Sequence, residues 1–206
     1  MVNKLLSHIL AVSCIGLLCC CQTSPLTPQK LENYVLDPAN GLVQRKVLGA
    51  VSLQMQYRPT DLLVAQELRG GADPKTADAL RAKYNSQAYF VLRLSQDEED
   101  PLNNPENRGR YSEILQNLSF RMGQFVEMTT SKQDTIPLGD FAFPRLYGYG
   151  GRTQVLLAFN RSEVKEADWL QISLQDFGIN TGKQHFRFYQ EDLKQVPPIA
   201  FGSVVD

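Results

Sequence analysis

The stretch Val47-Leu48-Gly49-Ala50-Val51-Ser52-Leu53-Gln54-Met55-Gln56-Tyr57 carries the clearest periodic pattern in the chain. Its odd-numbered positions are apolar or glycine, and Ser52, Gln54 and Gln56 stand between the later ones. Successive side chains of a β-strand point to opposite faces of a sheet, so a period of two indicates a half-buried strand. We therefore predict one strand over residues 47–57 with its odd-numbered side chains in the core.

Further strands are expected along the rest of the chain, to a total of about seven. Strand-forming residues are concentrated in the stretches 88–94, 126–128, 141–143, 153–159, 169–174 and 185–189. The last two stretches flank a glycine-containing loop, a pattern that predicts a β-hairpin.

Helical spacing is confined to short segments. It predicts one helix over 62–68 that stops at Gly70-Gly71, a second over 76–84, and a helical turn over 111–116. After this turn, Leu118 and Met122 fit helical and alternating spacing equally well. Many short strands with few helices are typical of antiparallel sandwiches. We predict a mainly β fold, an antiparallel β-sandwich-like domain with one to three short helices.

Length and composition agree with one folded domain. The 206 residues are 43% hydrophobic and 21% charged, which is too apolar for a disordered chain. The 21 Lys and Arg residues are balanced by 22 Asp and Glu residues, for a formal net charge of -1. Without an excess of positive charge the chain has no electrostatic attraction for a phosphate backbone, so we expect no nucleic-acid partner.

The chain begins with a basic segment and an apolar run. Met1-Val2-Asn3-Lys4 carries one positive charge, and only three polar side chains interrupt residues 5–18. This arrangement is typical of a secretory signal peptide, whereas a transmembrane helix needs about 20 apolar residues. The run ends in three cysteines, and the polar segment Gln22-Thr23-Ser24-Pro25 after them cannot continue a helix.

Leu18-Cys19-Cys20-Cys21 resembles the lipobox of bacterial lipoproteins, in which an aliphatic residue stands three positions before a cysteine and small residues stand between them. The resemblance implies that the sulfur of Cys21 carries a diacylglycerol, that the chain is cut before Cys21, and that the new amino terminus receives another acyl chain of the palmitate type. Cys20 is the next choice, and Cys19 and Cys14 stay open. Two or three acyl chains hold a protein to a bilayer where one chain is marginal. An ordinary secretory signal and a retained signal anchor are the alternatives.

The chain is thus expected to have three parts: a lipoprotein signal peptide over 1–20, a lipidated tether leading into the fold over 21–45, and a single β-rich globular domain over 46–206. In some bacterial lipoproteins an acidic signal just after the cysteine directs the protein to the cell surface. Because Gln22-Thr23-Ser24-Pro25 contains no acidic residue, the resemblance implies a protein of the bacterial cell envelope that is lipid-anchored to the membrane and faces the periplasm.

Cysteine and histidine are almost absent after the signal peptide. All four cysteines lie between Cys14 and Cys21, and the two histidines are His8 and His185. Once Cys21 is acylated, no thiol is left for a nucleophile, a disulfide or a paired-cysteine zinc site. A Ser-His-Asp site would have to use His185. We therefore expect no enzyme activity, no cofactor and no metal.

The candidate binding loop surrounds Tyr147-Gly148-Tyr149-Gly150-Gly151. Phe143, Tyr147 and Tyr149 would offer flat aromatic faces to a glycan or a protein partner. The alternative is a tight turn between strands, since the loop lacks the Gly-Lys-Ser/Thr of a phosphate-binding loop. The acidic run Asp97-Glu98-Glu99-Asp100 lacks the spacing of a calcium-binding loop, and we interpret it as a solvated loop.

These observations favour a membrane-anchored envelope lipoprotein that is a non-catalytic binding or assembly component. It would contact membrane lipid through its acyl chains and an envelope protein as partner. The alternatives are a carbohydrate-binding or carboxylate-dependent glycan-hydrolysing domain, and a structural spacer. Hydrolysis would need two converging carboxylates. No spacing singles out a pair among the available acids Asp134, Asp140, Glu163, Glu166, Asp168 and Asp176.

Overall fold

Nine strands form two antiparallel sheets in the computed structural model, which describes residues 25–68, 74–97, 100–102, 105–144 and 153–202. The strands are β1 (Val43–Leu48), β2 (Val51–Arg58), β3 (Gln87–Gln96), β4 (Val126–Thr130), β5 (Thr135–Pro137), β6 (Asp140–Ala142), β7 (Thr153–Asn160), β8 (Trp169–Leu174) and β9 (Gln184–Tyr189). One sheet has the order β1-β2-β3-β7-β6 and the other has the order β5-β4-β8-β9. The first is called the five-stranded sheet below, and the second the four-stranded sheet.

The two sheets pack face to face around one apolar core. The ring centroids of Phe90 on β3 and Phe188 on β9 are 5.1 Å apart, and Phe159 on β7 lies 6.1 Å from Phe90. All three rings are fully buried. The antiparallel, sandwich-like fold predicted from the alternating pattern is confirmed.

The stretch from which we predicted one strand forms a hairpin instead. β1 ends at Leu48, the turn is Gly49-Ala50, and β2 begins at Val51. Gly49 has a φ of 61°, a left-handed conformation that glycine adopts without a steric penalty. From Val51 to Tyr57 the odd-numbered side chains are buried as expected, but Val47 is 68% exposed. An alternation of apolar residues and glycine does not distinguish a continuing strand from a two-residue turn.

Six short α-helices accompany the sheets, more than the one to three expected. They are α1 (Pro28–Leu36), α2 (Thr60–Leu68), α3 (Pro74–Tyr84), α4 (Tyr111–Gln116), α5 (Arg161–Val164) and α6 (Gln190–Lys194). The helices α2, α3 and α4 match the predicted segments. The helices α5 and α6 span 4 and 5 residues, too few for a helical period to appear in the sequence.

Helix α1 lies within the segment that we expected to be a tether. The Thr27 hydroxyl accepts a hydrogen bond from the Lys30 backbone N–H at 3.3 Å, and Pro28 occupies the first turn. Leu31 and Val35 are completely buried. The folded body therefore includes residues from Leu26 onward, well before the boundary at 46.

The sandwich has two distinct ends. At the first, called the Leu26 end, β2, β7 and β9 finish, and Leu26 forms a parallel bridge with Ile199. At the other, called the Gly49 end, lie the β1–β2 turn and the segment from Pro105 to Gln124, which includes a π-helical turn over Asn117–Arg121. Among the described residues, no helix has the length and apolar character needed to cross a bilayer.

Candidate functional site

Four of the five residues predicted for lipidation or for the aromatic binding loop lie outside the described part of the chain. These are Cys21, Cys20, Tyr147 and Tyr149. Phe143 is described, and its half-buried ring packs against the core. The aromatic binding loop and the lipidation site therefore remain predictions.

The acidic residues considered for glycan hydrolysis do not line a common cleft. Of four depressions on the described surface, none is lined by two carboxylates. Asp176, at the Gly49 end, instead accepts backbone N–H groups of its own loop. Among the described residues, no three His, Cys, Asp or Glu side chains are grouped to hold a metal ion.

The one histidine outside the predicted signal peptide, His185, contacts a serine, but not in the order of a catalytic triad. Nδ1 of His185 is 3.0 Å from Oγ of Ser173, which is buried. Glu127 on β4 pairs with Ser173 on β8, and Ser173 pairs with His185 on β9. The serine therefore lies between the acid and the histidine, whereas in a catalytic triad the histidine lies between the serine and the acid. Burial and the nearby cations Lys183 and Lys46 lower the pKa of His185, which favours the neutral ring.

The outer face of the five-stranded sheet carries a row of long polar side chains. The register aligns Arg45 on β1 with Gln54 on β2, Gln54 with Arg93 on β3, and Arg93 with Gln154 on β7. Paired residues on antiparallel strands share a face and lie about 5 Å apart. These four residues are called the polar row below.

Hydrogen bonds connect the members of the polar row. Arg45 donates to Oε1 of Gln54 at 3.0 Å, and Arg93 donates from Nε to Oε1 of Gln154 at 3.3 Å. Arg93 also donates from a terminal nitrogen to Oε1 of Gln56, the next outward residue on β2. Each arginine is thereby oriented by a glutamine carbonyl.

Gln56 is completely buried beside the polar row. Guanidinium groups only donate hydrogen bonds, so the Gln56 atom facing Arg93 must be the oxygen. This fixes the amide orientation and turns Nε2 away from Arg93. Nε2 has no acceptor among the described residues. A buried donor without a partner costs about 1–3 kcal/mol.

Three depressions meet at the polar row, and Arg93 lines each of them. Their volumes are about 320, 720 and 580 Å³. The first extends toward the Gly49 turn, the second lies between the row and Leu36 on α1, and the third reaches Phe143. The three depressions share Arg93 in their lining and lie on the outer face, and they are together called the outer groove below.

An ion pair borders the outer groove at the end of β2. Arg58 donates to Glu32 of α1 at 2.5 Å, and the second oxygen of Glu32 is 3.9 Å from Arg93. The side chains of Arg58 and Glu32 are 14% and 26% exposed. Glu32 balances one of the three arginines that line the outer groove.

Only some of the residues that form the outer groove could be identified from the sequence. The alternating pattern marked Gln54 and Gln56 as polar residues opposite the core face, but it could not align them with Arg45 and Arg93. That alignment depends on strand register, which β-turn positions and long-range pairing determine. The sequence also gave no reason to single out Trp169. On the outer face of the four-stranded sheet, Cζ of Arg187 lies 4.2 Å from the centroid of its ring.

No protein-family model, no curated protein and no solved structure matches this chain.

Proposed function

We propose that the protein is a membrane-anchored lipoprotein of the bacterial cell envelope that acts as a non-catalytic binding or assembly component. Acyl chains on Cys21 would hold it to the membrane, on the side facing the periplasm. The proposal is carried by the lipobox-like Leu18-Cys19-Cys20-Cys21, and the first described residue that is hydrogen-bonded to the rest of the folded body lies shortly after it. The Leu26 N–H donates to the Pro198 carbonyl at 2.8 Å, only five positions after Cys21.

This spacing keeps the folded body close to the bilayer. Five residues reach at most about 18 Å even when fully extended. The Leu26 end would therefore face the lipid, and the Gly49 end would point away from it. The outer groove lies on the side of the sandwich between the two ends and would stay accessible to a partner.

The arrangement of reactive groups supports a non-catalytic role. The contact between His185 and Ser173 lacks a carboxylate placed to orient the histidine, and Ser173 is 3% exposed. Arg45 and Arg93 are suited to bind and not to transfer protons, because the guanidinium group stays protonated at all physiological pH values.

Membrane fractionation of the Cys21→Ala and Cys20→Ala variants tests the anchor. The wild-type protein and Cys20→Ala should sediment with membranes and dissolve only in detergent, whereas Cys21→Ala should stay in the soluble envelope fraction. Mass spectrometry of the wild-type amino-terminal peptide should find acyl chains on Cys21. An unmodified, freely secreted wild-type protein would contradict the proposal.

Chemical crosslinking in intact cells, followed by purification in detergent, tests the binding role. A binding or assembly component should bring one partner in a fixed ratio, and a structural spacer should bring none.

A further inference from the structure

We propose that the outer groove binds an extended peptide segment of a protein partner that presents Asp or Glu side chains. The proposal rests on the binding role proposed above and specifies its surface and the chemistry of the partner. Three observations carry it: an excess of hydrogen-bond donors, an excess of positive charge, and apolar side chains beside the polar row.

The amide oxygens of the polar row already accept hydrogen bonds from its own arginines. The Oε1 atoms of Gln54, Gln56 and Gln154 all accept from an arginine. The guanidinium groups of Arg45 and Arg93 and the Nε2 atoms of Gln54 and Gln154 can only donate, so the row has more hydrogen-bond donors than acceptors. A ligand that satisfies such a surface must supply oxygen acceptors.

The charge of the outer groove favours an anionic acceptor. Arg45, Arg58 and Arg93 line it, and Glu32 and Asp97 are the carboxylates among its described lining residues. Arg58 is paired with Glu32, and Asp97 lies at the far end beside the Gly49 turn. The exposed Arg45 has one hydrogen bond through one terminal nitrogen, which leaves its guanidinium with further donors. A guanidinium matches a carboxylate with two parallel hydrogen bonds.

Apolar side chains lie directly beside the polar row. Val43, Val91 and Leu156 stand two residues away from Arg45, Arg93 and Gln154 on the same strands, about 7 Å along the sheet. Five large apolar side chains remain exposed among the described residues, and two of these, Leu36 (41%) and Val47 (68%), border the outer groove.

This combination fits an extended peptide better than a glycan. Side chains on one face of an extended peptide are two residues apart and repeat about every 7 Å, so an acidic and an apolar residue two positions apart match the polar row and the apolar side chains beside it. A sugar ring would instead need aromatic faces, and Phe143 is the one aromatic ring among the described residues of the groove.

The test is fluorescence anisotropy with full-length protein purified in detergent. The probe is a labelled peptide of about eight residues with the repeat Glu-Ser-Val-Ser, so that Glu and Val follow each other on one face at a spacing of about 7 Å. We expect a dissociation constant on the order of 0.1 mM at low salt, weakened by added salt. Arg45→Gln should weaken binding about tenfold, as expected for loss of a charge-assisted pair.

The matched control is Arg121→Gln, which removes an exposed arginine of the Gly49 end and should leave binding unchanged. A peptide with Gln in place of Glu should bind about tenfold more weakly to the wild type, with no further loss on Arg45→Gln. Unfolding midpoints equal to that of the wild type would show that both variants fold. Equal binding of the Glu peptide to wild type and Arg45→Gln would overturn the proposal, as would tighter binding of labelled oligogalacturonate than of the Glu peptide.

The Cys21→Ala protein separates this inference from the proposed function. Its groove is unchanged, so it should bind the peptide as the wild type does. If fractionation shows no anchor but the peptide binds in an Arg45-dependent way, the anchor fails and the groove assignment stands. If the anchor is found and Arg45 is without effect on peptide binding, the groove assignment fails alone.

Discussion

At the scale of single residues, Asp176 organises the loop between β8 and β9. Its Oδ1 accepts the N–H groups of Gly178, Ile179 and Asn180 at 2.8, 2.9 and 3.2 Å, and Oδ2 accepts that of Gly182 at 3.2 Å. Burial opposes ionisation of this carboxyl, but the four N–H groups outweigh it and lower the pKa of Asp176. The ionised carboxylate therefore stabilises the folded state.

Asp176→Asn should lower the free energy of unfolding by about 1–2 kcal/mol at pH 7, because an amide nitrogen would face the Gly182 N–H. A carboxyl whose pKa is lower in the folded state contributes stability above its unfolded pKa of about 3.9, and this contribution is lost as the pH falls through the folded pKa. Urea unfolding curves should therefore differ at pH 7, and the difference should shrink as the pH falls below about 3.9. The exposed Glu166→Gln is the control and should match the wild type. A gap that stays constant on acidification would refute this role.

Some contacts made by single residues could not be predicted from the sequence. Gln44 on β1 makes two hydrogen bonds with the backbone of Arg187 on β9: its amide donates to the carbonyl, and its Oε1 accepts the N–H at 3.2 Å. The Gln44 side chain thus takes the place of a neighbouring strand at the edge of the four-stranded sheet. In the sequence Gln44 is one polar residue 143 positions from its partner, and no local pattern indicates such a contact.

At the scale of elements, an ion pair ties α2 and α3 to the C-terminal segment. Arg81 on α3 donates to both carboxylate oxygens of Asp61 on α2 at 2.7 and 2.8 Å, and to the Ile199 carbonyl at 2.9 Å. The Ile199 N–H donates to Asp61 at 2.7 Å. The hydrogen bonds to Asp61 raise the pKa of Arg81 despite its partial burial. The segment held in this way is the one that pairs with Leu26.

Arg81→Ala should destabilise the protein by about 2 kcal/mol, because it leaves the largely buried carboxylate of Asp61 without its cation. The control is Lys83→Ala on the same helix. Its partner is Glu67 and both side chains are well exposed, so its loss should leave the free energy of unfolding close to that of the wild type. Hydrogen exchange should also show faster exchange at the Leu26 and Ile199 amides in Arg81→Ala. Unchanged exchange at both amides would show that the pair does not hold this segment.

Strands and helices with a clear run or repeat of apolar residues could be predicted from the sequence. Short elements that depend on contacts with distant parts of the chain could not. β3 and β7 are long and buried, and their apolar runs were recognised. The three-residue β5 is absent from the predicted strands, because its single buried side chain, Ile136, gives no period. At Leu118 the sequence allowed helix or strand, and the chain adopts a π-helical turn that carries the 80% exposed Phe120.

At the scale of the whole molecule, the sandwich is polar along its outer faces and has different ends. The alternating strands were enough to predict the two-layer fold, since each strand buries one face. They did not reveal the outer groove, because it requires β1, β2, β3 and β7 to be paired in one register. The same architecture places α5 and the Leu26–Ile199 bridge at one end, and the 3-10 turn Met122–Gln124 at the other.

A lipid anchor five residues before Leu26 predicts a fixed orientation on the membrane. If Cys21 is acylated and begins the mature chain, as proposed, no other cysteine remains, so a single introduced thiol can carry a fluorescent label. Lys165 follows α5 at the Leu26 end, Gln124 lies at the Gly49 end, and both are exposed. In vesicles with nitroxide-labelled headgroups, a label at Lys165→Cys should be quenched more strongly than one at Gln124→Cys, because the tether reaches at most about 18 Å.

Lengthening the tether with a Gly-Ser insert after Ser24 should reduce the difference, which makes it the control for tether length. Equal quenching at both positions without the insert would mean that the short tether does not orient the sandwich.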